Sequence, residues 1–308
     1  MSEQYPPQTR PGARAPAREA PIEKIEAAAF RIPTDAPEAD GTLSWDATVL
    51  VVVRVEAGGA SGLGYTYADE AVVSLAQGVL LKTLKGEDAF DIPRCSIAMQ
   101  RAVRNLGRSG LVACAISAVD CALWDLKARA LGLPLATLLG RLREAVPIYG
   151  SGGFTSYSDE QLRDQLCGWA EGDGCRFVKM KVGSEPTRDP HRVAVAKSAI
   201  GDTQLFIDAN GALSVKQALD FAEVCASADI RWFEEPVSSD DEAGLKLVRA
   251  RCDPTTEVAA GEYNYTTDDA RRLLEHDAVD VMQADVTRCG GVTGFLRIAA
   301  MCEAHHID

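Results

Sequence analysis

Four acidic side chains recur in the second half of the chain at regular intervals. Asp208, Glu234, Glu262 and Asp285 lie at the carboxyl ends of the apolar segments TQLFIDAN, IRWFEEPV, TEVAAGEYN and VDVMQADVT. The intervals are 26, 28 and 23 residues, about the length of one strand–helix unit. Converging carboxylates repel one another unless a cation is present. We therefore expect Asp208, Glu234 and Glu262 to bind a hard divalent cation, Mg²⁺ or alternatively Mn²⁺.

Two lysines lie in the preceding segment, RFVKMKVG. On a strand, Lys179 and Lys181 share one face with Phe177. This alternation is typical of the solvated face of an edge strand, but the acids that follow favour lysines facing a metal site. Each lysine would then lower the pKa of the other, and a neutral amine is a competent general base. We expect one lysine to be the base and the other to hold an anionic substrate.

A base beside a metal indicates abstraction of a proton α to a carboxylate, with the cation stabilising the enediolate. Asn210 and Glu235 adjoin the acids and would support the metal site, although Glu235 could equally be a surface acid. Tyr149 and Ser151 lie at the end of the first apolar segment, VPIYGSG, and could contact substrate or simply pack.

Six short apolar segments alternate with amphipathic helices between residues 146 and 308, in units of about 27 residues. This pattern predicts an α/β fold with a parallel sheet, either doubly wound or closed as a barrel. A complete barrel of about 250 residues would need roughly two more units. The glycine-rich GGVTG (290–294) could bind a phosphate or form a tight turn.

The first half predicts an α+β unit. Two strands, IEKIEAAAFRIP and ATVLVVVRVEA, are joined by the polar TDAPEADGTLSWD, which we expect to cover the site. Helices follow, and the longest, GLVACAISAVDCALWDLKARALG, should stop at Gly132. Residues 1–20 are rich in Pro, Ala and Arg and predict a disordered tail.

Composition excludes several classes of protein. The net charge is −13 without a large basic cluster, which argues against nucleic acid binding. There is no run of about 18 apolar residues to span a membrane. Nine cysteines without a C-x-x-C pair indicate buried thiols in a reducing, cytoplasmic compartment.

The motifs KMK, IDAN, FEEP, AAGE and QADVTRCGGVTG, with the helix AISAVDCALWDLKARALGLPLATLLG, resemble the mandelate racemase and muconate-lactonizing family of the enolase superfamily over about residues 22–308. The resemblance implies a capping domain (21–140) over a modified (β/α)7β TIM barrel (141–308). It implies Asp208, Glu234 and Glu262 as metal ligands, Lys181 as the base and Lys179 as the contact to the substrate carboxylate.

Glu262 as the third ligand and Asp285 in place of a lysine resemble the mandelate-racemase-like subgroup. There, Asp285 would orient a histidine after the seventh strand. The sequence stops at CEAHHID, so we expect strands seven and eight to be missing and His305 and His306 to be helix-end residues.

Three hypotheses for the function follow from this resemblance. The foremost is dehydration of an acid sugar, the second is racemisation or epimerisation of a 2-hydroxy acid, and the third is a non-catalytic homologue or inactive fragment. We expect a homo-oligomer acting on a small-molecule carboxylate.

Overall fold

The computed structural model describes residues 19–307. The chain begins with an antiparallel sheet of β1 (Ile22–Ala39), β2 (Ser44–Ala57) and β3 (Ala60–Tyr67), in the order β1-β2-β3. The predicted tail lies outside the described residues except for its last two positions. Of these, Ala20 is buried, and its carbonyl accepts the backbone N–H of Ala89.

Helices cover one face of this sheet. They are α1 (Ala71–Leu75), which continues through a π-helical turn (Ala76–Leu80) into α2 (Leu81–Leu84), then α3 (Ile92–Ala102), α4 (Leu111–Leu131) and α5 (Leu135–Leu139). The prediction that helices follow the strands is confirmed. The long helix α4 ends at Gly132, whose φ of 67° is the left-handed conformation that glycine adopts easily. Apolar side chains of α4 and the sheet, such as Ile116 and Val53, share one core.

The prediction of only two strands here is wrong, because β3 forms a third. Its sequence, ASGLGYTY, contains glycines that weaken a strand signal. In the structure these glycines admit α4 at close range. A Cβ at Gly62 would collide with the backbone of Ala122 and Leu126, and one at Gly64 with the carbonyl of Ala118. The predicted connection between β1 and β2 is also shorter than expected, since most of it is strand.

The second half forms a six-stranded parallel sheet. Its strands are β4 (Gly150–Gly152), β5 (Phe177–Lys181), β6 (Gln204–Asp208), β7 (Trp232–Glu234), β8 (Glu257–Ala260) and β9 (Val281–Met282). The intervening helices are α6 (Asp159–Cys167) with a π-helical turn (Gly168–Gly172), α7 (Asp189–Ile200), α8 (Val215–Ser227), α9 (Glu242–Arg251) and α10 (Thr267–Glu275), and α11 (Gly291–His305) follows β9.

All six predicted strands are confirmed, and so is the α/β class. The strands pair in chain order, so the sheet lacks the order reversal that defines a doubly wound fold. Val178, Met180 and Val182 face the helices and belong to their core. On the opposite face, Phe177 stacks on Phe206. The lysines of β5 therefore lie on the inner face, away from the helices.

The turn between β1 and β2 reaches the second sheet. Gly41 lies so close to the carboxyl ends of β5 and β6 that a Cβ there would meet the carbonyls of Ala209 and Val182. Thr155, which follows β4, donates its hydroxyl to the carbonyl of Asp40 at 2.7 Å. This turn thus covers the strand ends that carry Lys181 and Asp208.

All nine cysteines are unpaired thiols. Within residues 19–307, no helix combines the length and the apolar character needed to cross a membrane.

Replacing Gly62 with alanine should destabilise the first sheet against α4. The added methyl group has no space beside the backbone of α4, so we expect a loss of about 1–3 kcal/mol in the free energy of unfolding, measured by urea denaturation. Gly78→Ala is the matched control, because a Cβ there meets nothing within 4 Å and lies in a helical turn. It should leave stability unchanged or raise it by about 1 kcal/mol. Equal effects of the two substitutions would contradict this packing.

Candidate active site

Three acidic side chains converge at the carboxyl ends of adjacent strands. Asp208 ends β6, Glu234 ends β7 and Glu262 lies two residues after β8. One carboxylate oxygen from each lies within 4.8 Å of those of the other two. Asp208 and Glu234 are paired neighbours in the sheet and are fully buried, whereas Glu262 is partly exposed. The structure thus brings together the three carboxylates proposed from the sequence.

The two lysines of β5 reach these carboxylates. The Lys179 ammonium lies 2.5 Å from Glu234 Oε1 and 3.2 Å from Asp208 Oδ2. Lys181 lies 2.5 Å from the same Asp208 oxygen. Lys179 keeps only 4% of its surface exposed, so the interpretation of a solvated lysine face is wrong. The inner face of β5 is part of the site.

The pKa values follow from this pairing. Burial alone would lower the pKa of Lys179, but the charges of Asp208 and Glu234 outweigh it, so the pKa is raised. The predicted lowering by the neighbouring lysine is therefore wrong for Lys179. For Asp208, burial is outweighed by Lys179 and Lys181, and the pKa is lowered. Burial and the charge of Asp208 raise the pKa of Glu234.

Asn210 and Glu235 lie next to the three carboxylates. Asn210 donates its backbone N–H to Asp208 Oδ1 at 2.8 Å and its amide to Glu262 Oε1 at 3.2 Å. Glu235 is buried, so the alternative of a surface acid is wrong. Neither of its carboxylate oxygens has a hydrogen-bond partner among the described residues. Burial, followed by the charge of Glu262, raises the pKa of Glu235 to about 9.

Tyr149 and Ser151 flank the lysine side of the site. The Tyr149 ring centroid lies 5.2 Å from the Lys179 ammonium, and the ring also packs against Phe206. Ser151 is the sheet neighbour of Lys179 and is exposed. Tyr149 therefore both contacts Lys179 of the site and packs against Phe206.

Asp285 lies at the edge of the site in a loop after β9. Its carboxylate accepts the backbone N–H of Thr287 at 2.7 Å and lies 3.5 Å from Arg288 Nε. It is not part of the three-carboxylate group. His305 ends α11 and His306 caps it with a φ of 58°, and both are exposed, which confirms that they are helix-end residues.

Several residues that the sequence did not single out hold the site in place. Trp232, two residues before Glu234 on the same face of β7, donates its indole N–H to Glu234 Oε2 at 3.0 Å. Arg192 is buried and donates to the carbonyl of Lys181 at 2.7 Å. Asp189, one turn earlier in α7, accepts the N–H of Gly183 at 2.7 Å. Trp232 and Glu234 are two residues apart in a strand, so the sequence could have indicated that they share a face. The contacts that Asp189 and Arg192 of α7 make with the site could not be predicted from it.

The donor set fits a hard divalent cation. All the converging atoms are carboxylate oxygens, which Mg²⁺ and Mn²⁺ prefer over nitrogen or sulfur. Burial first, and then the charges of neighbouring carboxylates, raise the pKa values of Glu234 and Glu235, and both effects disfavour their ionised forms unless a cation lies close by. Asp208, Glu234 and Glu262 could therefore bind such a cation, with Asn210 and Glu235 beside them.

Comparison with known proteins establishes the class of this chain. Residues 25–140 match the mandelate racemase / muconate lactonizing enzyme N-terminal domain, and residues 161–308 match the enolase C-terminal domain-like family. A relative, the 3,6-anhydro-alpha-L-galactonate cycloisomerase of Streptomyces coelicolor, is 33% identical, over 93% of this chain and 81% of that enzyme.

Solved structures agree. A mandelate racemase/muconate lactonizing enzyme-like protein from Rubrobacter xylanophilus superimposes with a TM-score of 0.90 at 50% identity, over 93% of this chain and 80% of that one. The L-talarate/galactarate dehydratase from Salmonella typhimurium LT2, solved with Mg and L-lyxarohydroxamate, gives 0.88 at 27% identity, over 99% and 80%. The chain belongs to the mandelate racemase/muconate lactonizing enzyme family of the enolase superfamily. It is an enzyme of the lyase or isomerase type.

Magnesium should stabilise the chain through the three carboxylates. At 100 times its dissociation constant, a cation bound only by the folded state adds about 2.7 kcal/mol, so Tm should rise by several degrees relative to EDTA. Asp208→Asn keeps the shape of the side chain but removes its charge, and it should abolish the rise. Asp220→Asn on the exposed side of α8 is the control and should retain it. An identical Tm of the wild-type chain with Mg²⁺ and with EDTA would rule out the metal site.

Proposed function

We propose that the protein is a Mg²⁺-dependent enzyme that abstracts the proton α to the carboxylate of a sugar acid, foremost an acid-sugar dehydratase. The supporting observation is the Lys181 ammonium, 2.5 Å from Asp208 Oδ2 and beside the three converging carboxylates. An amine beside these oxygen donors suits a substrate carboxylate bound at the cation, and this supports the proposal. The dehydratase from Salmonella typhimurium and the cycloisomerase from Streptomyces coelicolor support a sugar-acid substrate.

Each residue of the site has its own role in the proposed reaction. Asp208, Glu234 and Glu262 would hold the cation, which supplies positive charge opposite the negative charge that develops on the substrate as its proton leaves. Lys181 is the base in its neutral form, so its ammonium must first release a proton to solvent and separate from Asp208. Lys179, buried above Tyr149, holds the substrate carboxylate. We assign Asp285 to orient a second acid/base that would assist departure of the β-hydroxide.

The finer features of the family are proposals of the same kind. We propose that the six parallel strands within residues 141–308 are the first six of a modified (β/α)7β barrel, and that residues 21–140 form its capping domain. Mn²⁺ could replace Mg²⁺, since the oxygen donors suit both. We propose a cytoplasmic location, in keeping with nine unpaired thiols.

Proton abstraction can be observed directly by ¹H NMR in D₂O with Mg²⁺ and a panel of aldonic and aldaric acids. We expect loss of water to a 2-keto acid, and Lys181→Ala should slow it at least about 10²–10⁴-fold because the base is gone. Lys216→Ala, on the exposed side of α8, is the matched control and should keep full activity.

Other outcomes of this assay are equally informative. Deuterium at the α-carbon without loss of water would indicate a racemase or epimerase in place of a dehydratase. Turnover that survives Lys181→Ala would contradict the assignment of the base. Absence of both exchange and turnover across the panel would favour a non-catalytic homologue.

We also propose that the protein is a homo-oligomer that pairs through the outer face of its first sheet. Cross-strand register places the following side chains on that face: Phe30, Leu50, Val52, Leu63, Tyr65 and Tyr67. Four of them are about half exposed, with Phe30 at 52% and Tyr67 at 50%. Strand β2 contains the apolar run VLVVV, which is typical of a strand buried on both faces.

A second copy of this chain suits that face. The charges at its border are already neutralised in pairs, Lys24 with Glu26 and Arg54 with Glu56. A like-charged copy, with its net charge of −13, can therefore approach here without strong repulsion. The apolar patch would form the core of an interface that needs roughly 800 Å² per partner.

Sedimentation equilibrium tests this pairing. The wild-type chain should sediment as a dimer or a larger oligomer. Tyr65→Glu should lower the apparent molecular mass of the assembly, because it places a charge in the interface. Leu106→Glu is the control, because Leu106 is 58% exposed and lies outside the sheet. A monomeric wild-type protein, or an unchanged mass for Tyr65→Glu, would contradict the proposal.

A further inference from the structure

Helix α4 carries a polar stripe within an otherwise apolar sequence. Ser117, Asp120 and Trp124 are spaced by three and four residues and so lie on one face. Ser117 Oγ accepts the N–H of Gly290 at 2.8 Å, and Asp120 Oδ1 accepts that of Thr293 at 3.0 Å. The Trp124 indole donates to the Thr293 hydroxyl at 3.0 Å. All three side chains thus bind the start of α11, about 170 residues further along the chain.

This contact explains the glycine-rich GGVTG segment. A Cβ at Gly291, whose φ is 72°, would collide with the Asp120 carboxylate. The carboxylate instead lies at the amino end of α11, where backbone N–H groups and the helix dipole favour an anion. The position that the sequence offered to a phosphate is therefore filled by Asp120. Tight approach to α4, together with the turn itself, accounts for the glycines.

Joining two surfaces through buried polar groups costs free energy. Asp120 is fully buried, and its Oδ2 has no hydrogen-bond partner within the described part of the chain. Burial raises the pKa of Asp120 to about 6. Apolar packing alone would hold two helices together at lower cost. What Asp120 and its neighbours add is a fixed direction and register, which suggests a positional role.

The loop that these residues hold reaches the metal site. Arg288 lies two residues before Gly290 and donates to the backbone carbonyl of Glu262 at 3.2 Å. Its guanidinium also lies 5.6 Å from the ring centroid of Tyr263. Glu262 is the one member of the three carboxylates that is partly exposed and lies outside a strand. It is therefore the member that most needs external support.

We propose that Ser117, Asp120 and Trp124 are positioning residues that fix the 286–290 loop, so that Arg288 holds Glu262 in place to bind the cation. The first domain then sets the geometry of the metal site through α4, in addition to covering it with the turn at Gly41. This inference rests on the proposed function in one respect, the assignment of Glu262 as a ligand.

Hydrogen–deuterium exchange of the full chain tests the inference without metal or substrate. In Asp120→Ala, we expect exchange to rise about tenfold or more in peptides covering 286–293 and also in those covering 261–264. Peptides covering β5 and β6 should not change. Asp120→Asn keeps an oxygen for the Thr293 N–H and should restore most of the protection. The Mg²⁺ dissociation constant of Asp120→Ala should rise about 10–100-fold, as for other residues that orient a ligand.

Asp125→Asn is the matched control on the same helix. Asp125 accepts the N–H of Leu63 and pairs with Arg129, so its loss should leave exchange at 261–264 unchanged. If Asp120→Ala does not fold, Trp124→Phe removes only the indole donor, and it should give a smaller rise in the same two regions. Faster exchange at 286–293 with none at 261–264 would overturn the inference. Failure of the wild type to bind Mg²⁺ would instead refute the proposed function, while the exchange data would still decide the role of the stripe.

Discussion

Mutual repulsion of buried carboxylates is the constraint on which the second domain depends. Asp208 and Glu234 are paired sheet neighbours with almost no exposure, and Glu262 lies beside them. Such a group folds only if positive charge is supplied close by, because burying unpaired charge costs several kcal/mol per ion. In this chain Lys179 and Lys181 supply it, which is why two ammonium groups are directed into the protein.

The regular pairing of parallel strands makes this balance possible. Lys181, Asp208 and Glu234 are neighbours across three consecutive strands, so they form one row at the carboxyl end of the sheet. The next row down contains Lys179, Phe206 and Trp232, and Phe206 stacks on Trp232 at a centroid distance of 5.1 Å. This stack fixes the indole that binds Glu234. A slip of one residue would turn the acids toward the apolar helix core, so register is strongly specified.

The sequence predicted what depends on local pattern. Strand ends, their spacing of one strand–helix unit and the shared face of Lys179 and Lys181 follow from periodicity alone, and they led to the carboxylate group. Strand β3 was missed because its glycines serve a contact with α4 that no local pattern shows. The raised pKa of Lys179 was also missed, since it depends on how near Asp208 and Glu234 lie rather than on the adjacent lysine. The polar stripe of α4 was present in the sequence, but its partners lie about 170 residues away.

The two domains meet on opposite flanks of the site, and the two contacts differ in kind. The turn at Gly41 touches the ends of β5 and β6, where a substrate would meet the lysines. The α4 stripe binds the loop after β9, on the side of Glu262. The first contact belongs to a short turn in which Gly41 itself has no room for a side chain, but its neighbours Thr42 and Leu43 are exposed, where sequence changes are tolerated. The second belongs to a buried helix, where they are not. Residues near the turn can therefore vary to suit different acids, while α4 keeps the third carboxylate in register with the other two.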